Sequence, residues 1–224
     1  MQHDEGRRPI PARNTVPMRA IAHLLAAKGV VPDAVSLFGL AVGVCSGVLL
    51  GLTSLWPDFA RPLWIGAALL VVLRGISNVL DGLVAVEESK GSPTGVFYNE
   101  FPDRISDMAL MVGAGYSLGG SPVAGWLAAC LAVLVAYVRA LGVIAGAPTD
   151  FGGPFAKQQR MFSLAAVAAI LALTPYRWHF VWGPGGYLGP MAAWLWVMVP
   201  GIVLTIILRL RRAVRAVALT RNSG

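Results

Sequence analysis

Apolar residues fill six long stretches of this chain, separated by short polar breaks, over about 34–56, 63–86, 103–119, 122–146, 160–175 and 190–209. A helix of about 20 residues crosses the roughly 30 Å of bilayer hydrocarbon, so the pattern predicts six membrane-spanning helices. Pro175, Arg177 and His179 cut the fifth stretch short, and its helix is expected to start back toward Phe155. Pro200 inside the sixth predicts a kink. Ahead of the first stretch, residues 17–28 mix apolar positions 18, 21, 24 and 25 with Arg19, His23 and Lys28. That mixture suits a short helix lying on a membrane surface, and Gly29-Val30-Val31-Pro32-Asp33 ends it. The expected fold class is all-α: an integral membrane bundle of six transmembrane helices with an N-terminal amphipathic surface helix. Residues 1–16 read as a disordered cytoplasmic tail, 17–209 as a single transmembrane domain and 210–224 as a basic cytoplasmic tail.

Two polar stripes interrupt the second and third stretches. Positions 78, 81 and 85 lie three and four apart and share one helix face, as do 99, 103 and 107. Ionisable groups at membrane depth are expensive and line a bundle interior, a cavity or a reaction site; a purely structural polar seam between two helices is the plainer alternative. The turn-rich loop 87–98 makes the stripes antiparallel neighbours. Arg74 precedes Asn78 by four residues, roughly 6 Å deeper on the same face. Asp107 lies at a similar depth on the second stripe, so a buried Arg74–Asp107 pair is expected.

Composition strengthens the membrane assignment: 56% hydrophobic and 13% charged residues, against roughly 45–50% and 25% in soluble domains. Nearly all basic residues fall in the two tails and the loops of one side, with Arg61 and Arg177 on the other. That asymmetry puts both termini and the mouths of the polar stripes in the cytoplasm, in a multi-pass protein of the cell inner membrane. It also accounts for the net charge of +7, and such dispersed basic residues give no nucleic-acid footprint. Cys45 and Cys130 fall within apolar stretches and imply no disulfide or zinc framework. Residues 1–16 lack the apolar core of a cleavable signal, which leaves insertion to the first span.

The run Asn78-x2-Asp81-Gly82-x2-Ala85-Val86-x8-Gly95-x3-Asn99-x3-Asp103 resembles, without insertion, the signature of the class-I CDP-alcohol phosphatidyltransferase family. Asp81, Gly82, Ala85, Gly95 and Asp103 match; Asn78 and Asn99 stand where the family has Asp, and Val86 where it has Arg. The resemblance implies phospholipid biosynthesis, with a substituted phosphate moved from a CDP-linked donor, CDP-diacylglycerol, to an alcohol acceptor and CMP released. It assigns Mg2+ or Mn2+ to positions 78, 81, 99 and 103, with Asp103 as general base. It places Gly82, Ala85 and Gly95 against the donor, with Lys90 as a substitute for the missing Arg. Arg139, Lys157 and Arg160 become candidates for a phosphate on the acceptor, and a homodimer is implied. Each Asn keeps a carbonyl ligand but loses a negative charge, so electrostatics favour one ion over two; Glu100 and Asp107 are the residues at hand to restore charge. Two other readings explain less. A non-catalytic relative would bind a CDP-lipid or a partner enzyme, and a small transporter with an intramembrane Asp–Arg site would account for the stripes but not for their spacing.

Overall fold

The computed structural model describes residues 15–87, 95–175 and 189–222, and the described residues are helical with no strand. Among the described residues seven α-helices follow in order: α1 (Val16–Ala27), α2 (Pro32–Leu55), α3 (Ala60–Glu87), α4 (Gly95–Gly115), α5 (Pro122–Ile144), α6 (Lys157–Leu173) and α7 (Pro190–Asn222). A 3-10 turn, Pro57–Phe59, leads into α3. Proline opens α2, α5 and α7, where its fixed φ suits the first helical turn and its missing N–H loses nothing. Ser121 caps α5 by accepting from the Ala124 N–H at 3.4 Å.

By length and composition four helical stretches can cross a membrane: Pro32–Leu55, Pro57–Ala85, Pro122–Ile144 and Pro190–Leu219. The other two expected spans correspond to α4, which carries Asp103, Arg104 and Asp107, and to α6, only 17 residues long. The fifth expected span, α6, starts at Lys157, close to the expected extension toward Phe155. The helix α7 runs on past residue 209 to Asn222, because Arg-Leu-Arg-Arg-Ala-Val-Arg-Ala-Val-Ala-Leu is made of good helix formers and contains no Gly or Pro.

The six long helices close a ring. α2 lies between α3 and α4, α3 packs on α6, α4 on α5, α5 on α7, and α6 touches α7. The short α1 docks on α3 through a small apolar cluster of Ala22, Val35, Leu80 and Val84. The closeness of α2 to α4 is written in small residues. Along α2, Ser36, Gly39, Gly43, Ser46 and Gly47 are buried at helical spacing. A Cβ on Gly47 would run into the Ala109 carbonyl, and one on Gly113 into the backbone of Gly47. Without a hydrophobic drive between helices in lipid, such backbone-to-backbone packing carries much of the association. Gly113→Val should therefore lower thermal stability in detergent by about 1–3 kcal/mol. Gly51→Ala, where no atom lies within 4 Å of the added carbon, should leave stability unchanged or raise it.

Candidate functional site

With α2 packed on both α3 and α4, and α6 packed on α3, the two polar stripes come together at one end of the ring. Asp81 on α3 and Asp103 and Asp107 on α4 are each less than one-tenth exposed. Asp81 accepts a hydrogen bond from the Ser36 hydroxyl of α2 at 3.2 Å and one from the Gly82 N–H at 2.5 Å. It lies close enough to Asp103 for the two charges to repel, with Lys157 and Arg74 near enough to offset them.

Asp103 is the hub. Arg74, 2% exposed, forms an ion pair with it through Nη2 and donates through Nη1 to the Asn78 carbonyl oxygen at 2.6 Å. Lys157, the first residue of α6, reaches the other Asp103 oxygen at 2.5 Å and the Asn78 oxygen at 3.2 Å. Asn78 thus accepts from both cations that hold Asp103. One turn deeper, Asp107 pairs with Arg160 of α6 at 2.9 Å, and Arg160 also donates to the Phe155 carbonyl at 2.9 Å.

These contacts correct the expected Arg74–Asp107 pair. The long arginine stem carries its charge toward the mouth of the site, where it meets Asp103. Asp107 instead faces α6, which supplies Arg160. Lys157 and Arg160 therefore point into the carboxylate stripe, and Arg139 stands apart from them. Arg139 pairs with Glu100 at 2.6 Å and lies over the Phe151 ring, 5.3 Å from its centre. Glu100 also meets Arg104 at 3.3 Å, and Arg104 comes within 3.5 Å of Asp103. Glu100 is accordingly turned away from the Asp81–Asp103 pair, as its position beside Asn99 on a helix requires. Gly82 and Ala85 continue the α3 stripe, and Gly95 opens α4. The Asn99 side chain and Lys90 lie outside the described residues.

A cavity of about 260 Å³ lies between α5, the 147–150 segment and α7, and its Arg139 is linked through Glu100 and Arg104 to Asp103. Arg139, Arg209, Arg212 and Asp150 are among its lining residues. The segment is tied to α7: Arg209 donates to the Gly152 carbonyl at 3.0 Å, Arg212 pairs with Asp150 at 3.0 Å, and the Thr205 hydroxyl donates to the Pro154 carbonyl. Arg209, at the end of the sixth expected span, and Arg212, in the expected basic tail, thus line the cavity. The available signal was Arg209 itself, whose depth within an otherwise apolar helix sets it apart from the residues that follow. Ser36 was also missed, although the small-residue stripe of α2 marks the face on which it lies.

Among the described residues no three His, Cys, Asp or Glu side chains form a group able to hold a metal. The oxygen donors that do converge are Asp81, Asp103 and the Asn78 carbonyl.

A model of the CDP-alcohol phosphatidyltransferase family matches residues 29–207. The chain is 29% identical over 195 residues to a phosphatidylinositol phosphate synthase of Streptomyces avermitilis, covering 84% of this chain and 74% of that protein. It is also similar in fold to the Mycobacterium tuberculosis phosphatidylinositol phosphate synthase. The crystal structure of that enzyme in complex with manganese and citrate gives a TM-score of 0.68 at 21% identity, covering 88% of each chain. The structure with CDP-DAG bound gives 0.67 at 21% identity, covering 88% of this chain and 92% of the other.

Proposed function

The chain belongs to the CDP-alcohol phosphatidyltransferase family of membrane transferases in phospholipid synthesis, and from that premise we propose that it transfers the phosphatidyl group of CDP-diacylglycerol to an alcohol that itself carries a phosphate. The observation that carries the reading is that Asp103 and Asn78 share the cations Arg74 and Lys157, with Asp81 close by, at the end of the ring where α2 joins α3 to α4, and that Glu100 and Arg104 link Asp103 to an arginine-lined cavity. In this reaction the acceptor oxygen attacks the β-phosphorus of the donor, the bond to the α-phosphate oxygen breaks, and CMP leaves with the electron pair. Asp103 takes the acceptor's hydroxyl proton. Asp81, fixed by Ser36, and the small residues Gly82, Ala85 and Gly95 face the donor, whose diphosphate draws further positive charge from Lys90. Arg139, with Arg209 and Arg212 across the cavity, binds the acceptor phosphate by charge-assisted hydrogen bonds. Lys157 and Arg160 serve the stripe itself.

The converging donors are all oxygens, which suits Mg2+ or Mn2+. Asp81, Asp103 and Asn78 would hold one such ion, with the remaining ligands drawn from substrate phosphates and water, as is usual for Mg2+. When bound, it supplies charge neutralisation at the diphosphate. The six crossings, the cytoplasmic placement of the site and both termini, the surface position of α1 and a homodimer belong to the same proposal. The closed ring of six helices and the one-sided basic residues support its topology.

The purified protein with CDP-diacylglycerol and Mn2+ should release CMP with inositol phosphate or glycerol phosphate, and much more slowly with serine or unphosphorylated inositol. Arg139→Gln should raise KM for the phosphorylated acceptor by about 10- to 100-fold, the cost of one charged hydrogen-bonding partner. Equal rates with phosphorylated and unphosphorylated acceptors would remove the acceptor assignment. Retained CDP binding with no CMP from any acceptor would leave a binding protein in place of an enzyme.

A further inference from the structure

The buried stripe is balanced before any metal or nucleotide enters. Asp81, Asp103 and Asp107 face Arg74, Lys157 and Arg160, all six at most 9% exposed. The two nearest cations occupy the oxygens that a metal would need. Lys157 lies 2.5 Å from Asp103 and 3.2 Å from Asn78, while Arg74 bonds the other oxygen of Asp103 and the same Asn78 oxygen. An aspartate at position 78 would add a charge that leaves room for a divalent ion; Asn78 does not. Bringing two positive charges into this neutral, poorly solvated cluster is unfavourable unless an anion comes with them. A nucleotide diphosphate is such an anion.

Building on the proposed function, we infer that this site takes up its divalent cation only together with the donor's diphosphate, and that Lys157 enforces this by acting as the resident counter-cation of Asp103 and Asn78. In the free protein the Lys157 ammonium neutralises the pair. When the metal–diphosphate unit arrives, the ammonium moves from Asp103 to the phosphate oxygens and frees Asp103 for the ion. Lys157 is therefore a positioning residue for metal entry. Its place at the first turn of α6, beside the segment clamped to α7, lets its side chain swing without moving the helix.

The test is Mn2+ binding to the full-length protein in detergent, followed by the loss of the free-ion electron paramagnetic resonance signal, with and without CDP. CDP binding is measured in parallel with and without Mn2+. For the unaltered protein, CDP should tighten Mn2+ binding by about 10- to 100-fold, and Mn2+ should tighten CDP binding by the same factor, as linkage between two sites requires. In Lys157→Met the CDP-free affinity for Mn2+ should rise about tenfold or more, shrinking the coupling. Mn2+ bound equally well with and without CDP by the unaltered protein overturns the inference whatever the variants do. So does a folded Lys157→Met or Lys157→Gln protein whose CDP-free Mn2+ affinity is unchanged. If CDP binds at no Mn2+ concentration, the proposed function itself fails, an outcome separable from tight Mn2+ binding without nucleotide.

Discussion

Asp103→Asn should reduce CMP release by about 10²- to 10⁴-fold, the range removed with a general base. The substitution keeps the shape of the side chain and one carbonyl acceptor for Arg74 or Lys157, but removes the charge both cations face. The loss should appear in kcat as much as in kcat/KM, because the proton is transferred only on the way to the transition state. Asp81→Asn should behave differently. Asp81 is held by Ser36 and the Gly82 N–H and not by a cation, so its loss should weaken Mn2+-dependent CDP binding as well as turnover. Melting temperature must be read beside both rates, since removing a carboxylate from a balanced buried cluster also costs stability. An Asp103→Asn protein that melts normally and still releases CMP within tenfold of the original rate would take Asp103 out of the reaction.

The stripes, their face and their end of the helices were legible because a period of three and four survives in any helix, and because charged residues stand out against an apolar background. The seven-helix order follows from the same pattern, with α1 ending at the Gly29–Pro32 break. Pairing across helices was less legible. Which carboxylate Arg74 meets depends on the axial offset between α3 and α4, where one residue is worth 1.5 Å and one turn about 5.4 Å. No periodicity within a single helix records that offset. A third helix was also left out of the expected pair: α6 brings Lys157 and Arg160 into the stripe, whereas the sequence offered them with Arg139 as candidates for a phosphate on the acceptor. The segment after α5 carries Gly153 and Phe155 at positive φ, and its attachment to Thr205, Arg209 and Arg212 depends on contacts fifty or more residues apart. Such contacts become visible only when the ring closes.

Arg160→Met should be the most destabilising single change in the cluster, by about 3–5 kcal/mol, the usual cost of breaking a buried ion pair from one side. Arg160 is 2% exposed and reaches Asp107, whose side chain is 5% exposed, so the substitution strands a carboxylate at the deepest point of the stripe. It also frees the Phe155 carbonyl that Arg160 holds. Arg74→Met removes an equally buried cation, yet Lys157 still holds Asp103 at 2.5 Å. Its effect on thermal unfolding in detergent should therefore be smaller than that of Arg160→Met. The double change Arg160→Met with Asp107→Leu tests the cause. Replacing both partners of a buried pair by apolar groups is often neutral or stabilising, so the second substitution should recover most of the stability lost to the first, a strongly non-additive result in a double-mutant cycle. Additive losses would mean that Arg160 acts through the Phe155 carbonyl and the start of α6, with Asp107 answered by the more distant Lys157.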